Sequence, residues 1–139
     1  MQKTDEALVF FPIRSFLVIQ NLKKLLISKN LSTSVGDEGG FAPMISKNEE
    51  ALKLISNAIK NAGFVNGKDV SICLDVAANE LFKNKKYAID SKKYISYKDT
   101  ISFYSKIIKR FKIKSIEDPF AENDWKSWSD LHKKEKKIQ

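Results

Sequence analysis

Apolar residues recur at helical spacing in four places along the chain. The first run is Phe16 to Ser28, where Val18, Leu22, Leu25 and Leu26 fall on one face and Lys23 and Lys24 point away, which predicts a helix stopped near Asn30. A second begins after Ser46, whose spacing to Glu49 matches a capping box; Ala51, Leu52, Ile55, Ala58, Ile59 and Ala62 form its face, and Gly63 is placed for a left-handed cap. The third follows Ser96 and Asp99, with Ile101, Tyr104, Ile108 and Phe111 in phase. The last starts near Asn123 and carries Trp125, Trp128 and Leu131, the indoles spaced to pack the helix on a sheet.

Between the helices lie short unbroken apolar runs. Val70 to Leu74 reads as a strand ending at Asp75, and Ile113 to Ile116 as a strand ending at Glu117. Leu8 to Phe11 is predicted as a short strand stopped by Pro12, and Tyr87 to Ile89 as another. Gly36, Gly39, Gly40 and Pro43 make residues 31–43 a loop, and Asn66-Gly67 a turn. Strands alternating with helices give an α/β fold, because parallel neighbours need a helical crossover.

Composition narrows the setting. The 139 residues are 42% hydrophobic, one domain's worth of sequence that can bury about two-thirds of its unfolded surface. The apolar runs are too short to cross a bilayer, and the N-terminus has no secretory pattern. The single cysteine, Cys73, sits in an apolar strand, excludes a disulfide framework and is expected to be buried; a reducing, cytoplasmic setting follows. Net charge is +8, from 25 Lys+Arg against 17 Asp+Glu, yet the only arginines are Arg14 and Arg110. Dispersed lysines describe a solvated surface better than the bidentate recognition of nucleic acid, which argues against a nucleic-acid partner. The lone histidine, His132, falls at a helix end among lysines and builds no catalytic triad.

Candidate chemistry centres on acids. Asp75 and Glu117 each terminate an apolar strand, and in parallel α/β folds the carboxyl ends of strands form the active face. Two such carboxylates side by side repel unless a hard cation such as Mg²⁺ bridges them; otherwise each is simply the first polar residue of a loop. Glu38, displayed between Gly36-Asp37 and Gly39-Gly40, could serve as a general acid or base, or belong to an ordinary acidic turn.

Three segments, Val35-Gly36-Asp37-Glu38-Gly39-Gly40-Phe41-Ala42-Pro43, Leu74-Asp75-Val76-Ala77-Ala78-Asn79-Glu80 and Ser115-Ile116-Glu117-Asp118-Pro119-Phe120 with Asn123-Asp124-Trp125, together resemble the enolase (phosphopyruvate hydratase) family. The resemblance runs over residues 16–139, leaving 1–15 as a poorly matching N-terminal segment; Val76 and Asn79 vary from the family pattern. It implies part of the enolase C-terminal (β/α) barrel, not closed by these residues. It implies Mg²⁺-dependent dehydration of 2-phosphoglycerate to phosphoenolpyruvate in glycolysis, with Glu38 as the proton donor and Asp75 and Glu117 as two metal ligands. It further implies a homodimer in the full-length family and a cytoplasmic enzyme, with relatives also at the cell surface. The third metal carboxylate and the lysine base belong to segments outside these 139 residues, so the chain by itself is expected to be inactive. The alternative is a non-catalytic remnant or basic binding protein contacting RNA or an acidic surface.

Overall fold

The structure, a computed structural model, describes residues 4–37, 39–89 and 93–139, with side chains described from residue 13 onward. The chain divides into two compact units, Met1–Val70 and Ser71–Gln139.

The first unit pairs two helices, α1 (Thr4–Ser28) and α2 (Asn48–Asn61). Leu26, Leu52, Leu54, Ala58 and Ile59 form its buried core. The predicted strand at Leu8 to Phe11 is instead helix: α1 starts upstream and runs through Pro12, at the cost of one N–H donor. α1 ends where expected, with Asn30 in the left-handed region (φ +54°) and the Leu31 N–H donating to the Leu26 carbonyl. The capping box fails. α2 begins at Asn48 behind Lys47, which makes no side-chain cap, so Ser46 stands one position too early. At its far end Gly63 (φ +84°) donates to Lys60 and Phe64 to Ile59, a Schellman closure. Arg14 donates to the Asp69 carbonyl at 3.0 Å and lies over the Phe64 ring, tying α1 to the Asn66-Gly67 turn.

The loop of residues 31–43 is pinned at its base by a bridge between Val35 and Phe41, with the Gly36 N–H donating to the Gly40 carbonyl at 2.8 Å. Gly39 has φ +83°, a conformation that L side chains rarely adopt.

The second unit is a β-α-β crossover with an elaboration inside it. β1 (Cys73–Asp75) pairs in parallel with β5 (Ser115–Glu117), and α3 (Tyr97–Phe111) lies between them in sequence. Before α3 the chain forms an antiparallel sheet of β2 (Phe82–Lys83), β3 (Lys86–Tyr87) and β4 (Ile95–Ser96). α4 (Trp125–Lys134) closes the unit. α3 opens as its sequence predicts: the Ser96 hydroxyl accepts from the Asp99 N–H, and Ile101, Tyr104, Ile108 and Phe111 are buried. This is α/β, with parallel strands and a helical crossover, and the described strands do not close a barrel.

Gln139 adds to the sheet. Its N–H donates to the Lys114 carbonyl at 3.2 Å and its carbonyl accepts from the Ile116 N–H at 2.9 Å, the pattern of a parallel neighbour opposite Ser115. The edge of β5 away from β1 is therefore engaged too.

Of the β2–β3 hairpin the sequence shows only one strand, predicted at Tyr87 to Ile89 and found one residue earlier and shorter, at Lys86–Tyr87. The hairpin's two-residue turn, Asn84-Lys85, has φ of +51° and +59°, as a type I′ turn needs to match the strand twist. Lysine is poorly suited to that position. Replacing Lys85 with Gly is expected to raise stability by about 0.5–1 kcal/mol, read as a higher urea midpoint; a lower midpoint would show that this φ is not adopted.

Candidate active site

The parallel pairing of β1 and β5 sets three residue pairs in register: Cys73 with Ser115, Leu74 with Ile116, and Asp75 with Glu117. Because side chains alternate along a strand, Leu74 and Ile116 share one face and the two acids share the other. Ile116 is buried at 7% exposure, while Asp75 and Glu117 are exposed. Register thus brings together, at the carboxyl ends of neighbouring strands, the two carboxylates singled out by sequence. Neighbouring strands in a sheet lie about 4.8 Å apart, so the register sets the two acidic residues side by side, where a cation held between their carboxylates would offset the repulsion of like charges.

The loops that leave these strands are tied to one another. The Val76 N–H donates to the Glu117 carbonyl and the Ala78 N–H to the Asp118 carbonyl, both at 3.1 Å. Asp75 Oδ1 accepts from the Ala77 N–H at 3.2 Å, and Asn79 Oδ1 accepts from the Glu122 N–H at 2.9 Å. Ala77 and Asp118 both adopt positive φ, +46° and +45°. Such backbone costs on the order of 1 kcal/mol or more for a residue with a side chain, and the cross-strand bonds hold it in place.

An aromatic cluster anchors the same loops from beneath. Phe120, 1% exposed, meets Tyr87, Tyr104 and Trp128 edge to face, at centroid distances of 5.3, 5.6 and 6.5 Å. The Tyr104 hydroxyl donates to the Pro119 carbonyl at 2.7 Å, and the Trp128 indole N–H to the Ala121 carbonyl at 3.1 Å. The Tyr87 hydroxyl donates to Asp124 Oδ2 at 2.7 Å and accepts from the Ala121 N–H at 3.2 Å. Burial, and then the bond to Asp124, push the Tyr87 phenol well above its ordinary value; burial chiefly does the same for Tyr104. For Asp124 burial acts upward, but the Ser127 and Tyr87 hydroxyls outweigh it and hold the carboxyl below its usual range. An ionised Asp124 is thereby set to cap α4 through Ser127. Spacing alone hides this network, since Tyr87 lies 37 residues from Asp124.

Other expectations fare differently. Glu38 lies outside the described residues, while Asp37 beside it is exposed. Cys73 is exposed rather than buried, because it lies on the same strand face as Asp75 and Glu117, which are exposed too. Trp125 does not pack on the sheet: it is 77% exposed, and only Trp128 turns inward. His132 is exposed in the last turn of α4, as expected. Among the described residues no group of three His, Cys, Asp or Glu side chains is placed to hold a metal ion. Asp75 and Glu117 form an oxygen-only donor pair, and that chemistry fits a hard cation such as Mg²⁺. Among the described residues no helix is long and apolar enough to cross a membrane.

Paired acids at the carboxyl ends of parallel strands are characteristic of β/α-barrel enzymes. Residues 13–139 match the family described as enolase, C-terminal TIM barrel domain. The chain belongs to the enolase family, and its fold is part of that barrel. Among curated proteins it is 66% identical over 124 residues to the enolase of Pelagibacter ubique (strain HTCC1062). That alignment takes in 89% of this chain, which spans 30% of the relative's length.

Proposed function

We propose that this chain supplies part of the active site of an enolase, the lyase that dehydrates 2-phosphoglycerate to phosphoenolpyruvate. The observation that carries this reading is the register of Asp75 with Glu117, supported by 66% identity to a protein named enolase. In this reading Asp75 and Glu117 hold Mg²⁺, and Glu38 gives its proton to the departing hydroxide. When bound, the metal supplies stabilisation of the negative charge that builds as a proton leaves carbon. The chain's own residues do the rest: the bonds among residues 75–79 and 117–122 hold together the loops that follow the two acids, and the carboxyl of Glu38 carries the proton to be given up.

In the same proposal residues 16–139 belong to the barrel domain and 1–15 form a leading segment; the family match itself begins at residue 13, and α1 runs unbroken from Thr4 to Ser28. A cytoplasmic, homodimeric enzyme in glycolysis is part of the same proposal. Two carboxylates without the third ligand and the base do not complete the chemistry, so the 139-residue polypeptide alone is inactive.

The test replaces the aligned 124 residues of the Pelagibacter enolase with those of this chain. The chimera is expected to form phosphoenolpyruvate with Mg²⁺ and not without it, while the isolated chain gives none. A folded but inactive chimera would contradict the proposal, and so would turnover by the isolated chain.

A further inference from the structure

A cavity of about 390 Å³ opens beside the same loops and is lined by Asn79, Asp118, Phe120, Glu122, Trp125 and Trp128. Neither Asp75 nor Glu117 lines it, so it is distinct from the proposed metal pair. Its make-up is unusual for this chain. Lys and Arg number 25 of 139 residues, yet none reaches this lining, which holds two carboxylates and both tryptophans of the sequence. The Trp125 indole is 77% exposed although it is large and apolar, and Trp128 is held by its bond to the Ala121 carbonyl. At the rim the Asn79 side chain accepts the Glu122 N–H across the two loops, and the Glu122 carboxylate accepts from Asn123 Nδ2 at 3.4 Å, leaving its other oxygen for a ligand.

We propose that this cavity binds the ammonium or guanidinium head of an organic cation. Indole faces attract such a head within about 6 Å through the ring quadrupole, and the carboxylates of Asp118 and Glu122 add charge pairing. The aliphatic stem behind the head lies against the indole edges. A small hydrated metal ion would gain from the acids but not from the aromatic walls, and inorganic anions would be repelled. The head can come from a free polyamine or from a basic side chain of a peptide.

Both indoles line the cavity, so tryptophan fluorescence of the full chain reports on it directly. Titrations with spermidine and with N-acetyl-argininamide, at matched ionic strength, separate the two sources. A saturable change with a midpoint on the order of millimolar is expected for at least one. Trp125→Ala should weaken binding about two- to fivefold, and Asp118→Asn combined with Glu122→Gln about tenfold. All three side chains are exposed, and far-UV circular dichroism checks that the variants keep their fold. The indole N–H resonances of the unaltered chain, which should move with the same midpoint, give a readout independent of any variant. A strictly linear response, an equal response to MgCl₂, or unchanged binding in the acid double variant would overturn the proposal.

Discussion

In the chimeric enolase, Asp75→Asn and Glu117→Gln should each lower turnover by a hundred- to a thousandfold, roughly the loss seen when one preorganised electrostatic contact to a transition state is removed. Either change keeps the side chain's shape and halves the charge at the strand ends. The pairing of β1 with β5 depends on main-chain bonds and on Leu74 and Ile116, so both variants should fold as the parent does. Glu38→Gln should cost a comparable factor, within the hundred- to ten-thousandfold range of general acid catalysis, but for a different reason. It removes a transferable proton and leaves cation binding unchanged. The two classes therefore separate experimentally: raised Mg²⁺ should partly rescue the Asp75 and Glu117 variants and leave the Glu38 variant as it was. Coupled assays across a Mg²⁺ series measure this, and equal rescue of all three would argue against the division of roles.

Phe120→Ala is expected to be the most damaging substitution for stability, at about 3–5 kcal/mol. Phe120 is fully buried and meets three aromatic rings; beside it the Pro119 carbonyl accepts from the Tyr104 hydroxyl and the Ala121 N–H donates to the Tyr87 hydroxyl. Truncation leaves a hole that these hydrogen-bonded rings cannot easily close. Single domains are stable by only about 5–15 kcal/mol, so the Ser71–Gln139 unit would stand near its unfolding threshold. Urea titration followed by tryptophan fluorescence measures the loss. A change below about 1 kcal/mol would mean that the cluster does not anchor the loop after β5.

The strand-end acids were legible because burial demands apolar residues up to the end of each strand, and the first polar residue then marks the loop. Ser96 and Gly63 were legible because capping chemistry is local. What escaped depends on partners distant in sequence or on geometry that composition does not encode. Asn84-Lys85 lacks the glycine that usually signals a type I′ turn, and the left-handed backbone of Lys85 is imposed by the pairing of Phe82 with Tyr87. Cys73 lies in an apolar run, but its burial is decided by whether the acids' face is covered. Pro12 marks a break only where helix is not continued from upstream, and here α1 runs through it. Trp125 and Trp128 share helical spacing, yet α4 turns only Trp128 inward, toward Phe120. The link from Tyr87 to Asp124 and Ala121 needs the whole crossover in place before it forms.

The most direct measurement is a calorimetric Mg²⁺ titration of the chimera, its Asp75→Asn and Glu117→Gln forms, and the double variant. If the two acids share one ion, the losses are strongly non-additive: either single change costs nearly as much affinity as both together. Additive losses, or full affinity in the double variant, would mean that Asp75 and Glu117 stand side by side without holding a common cation.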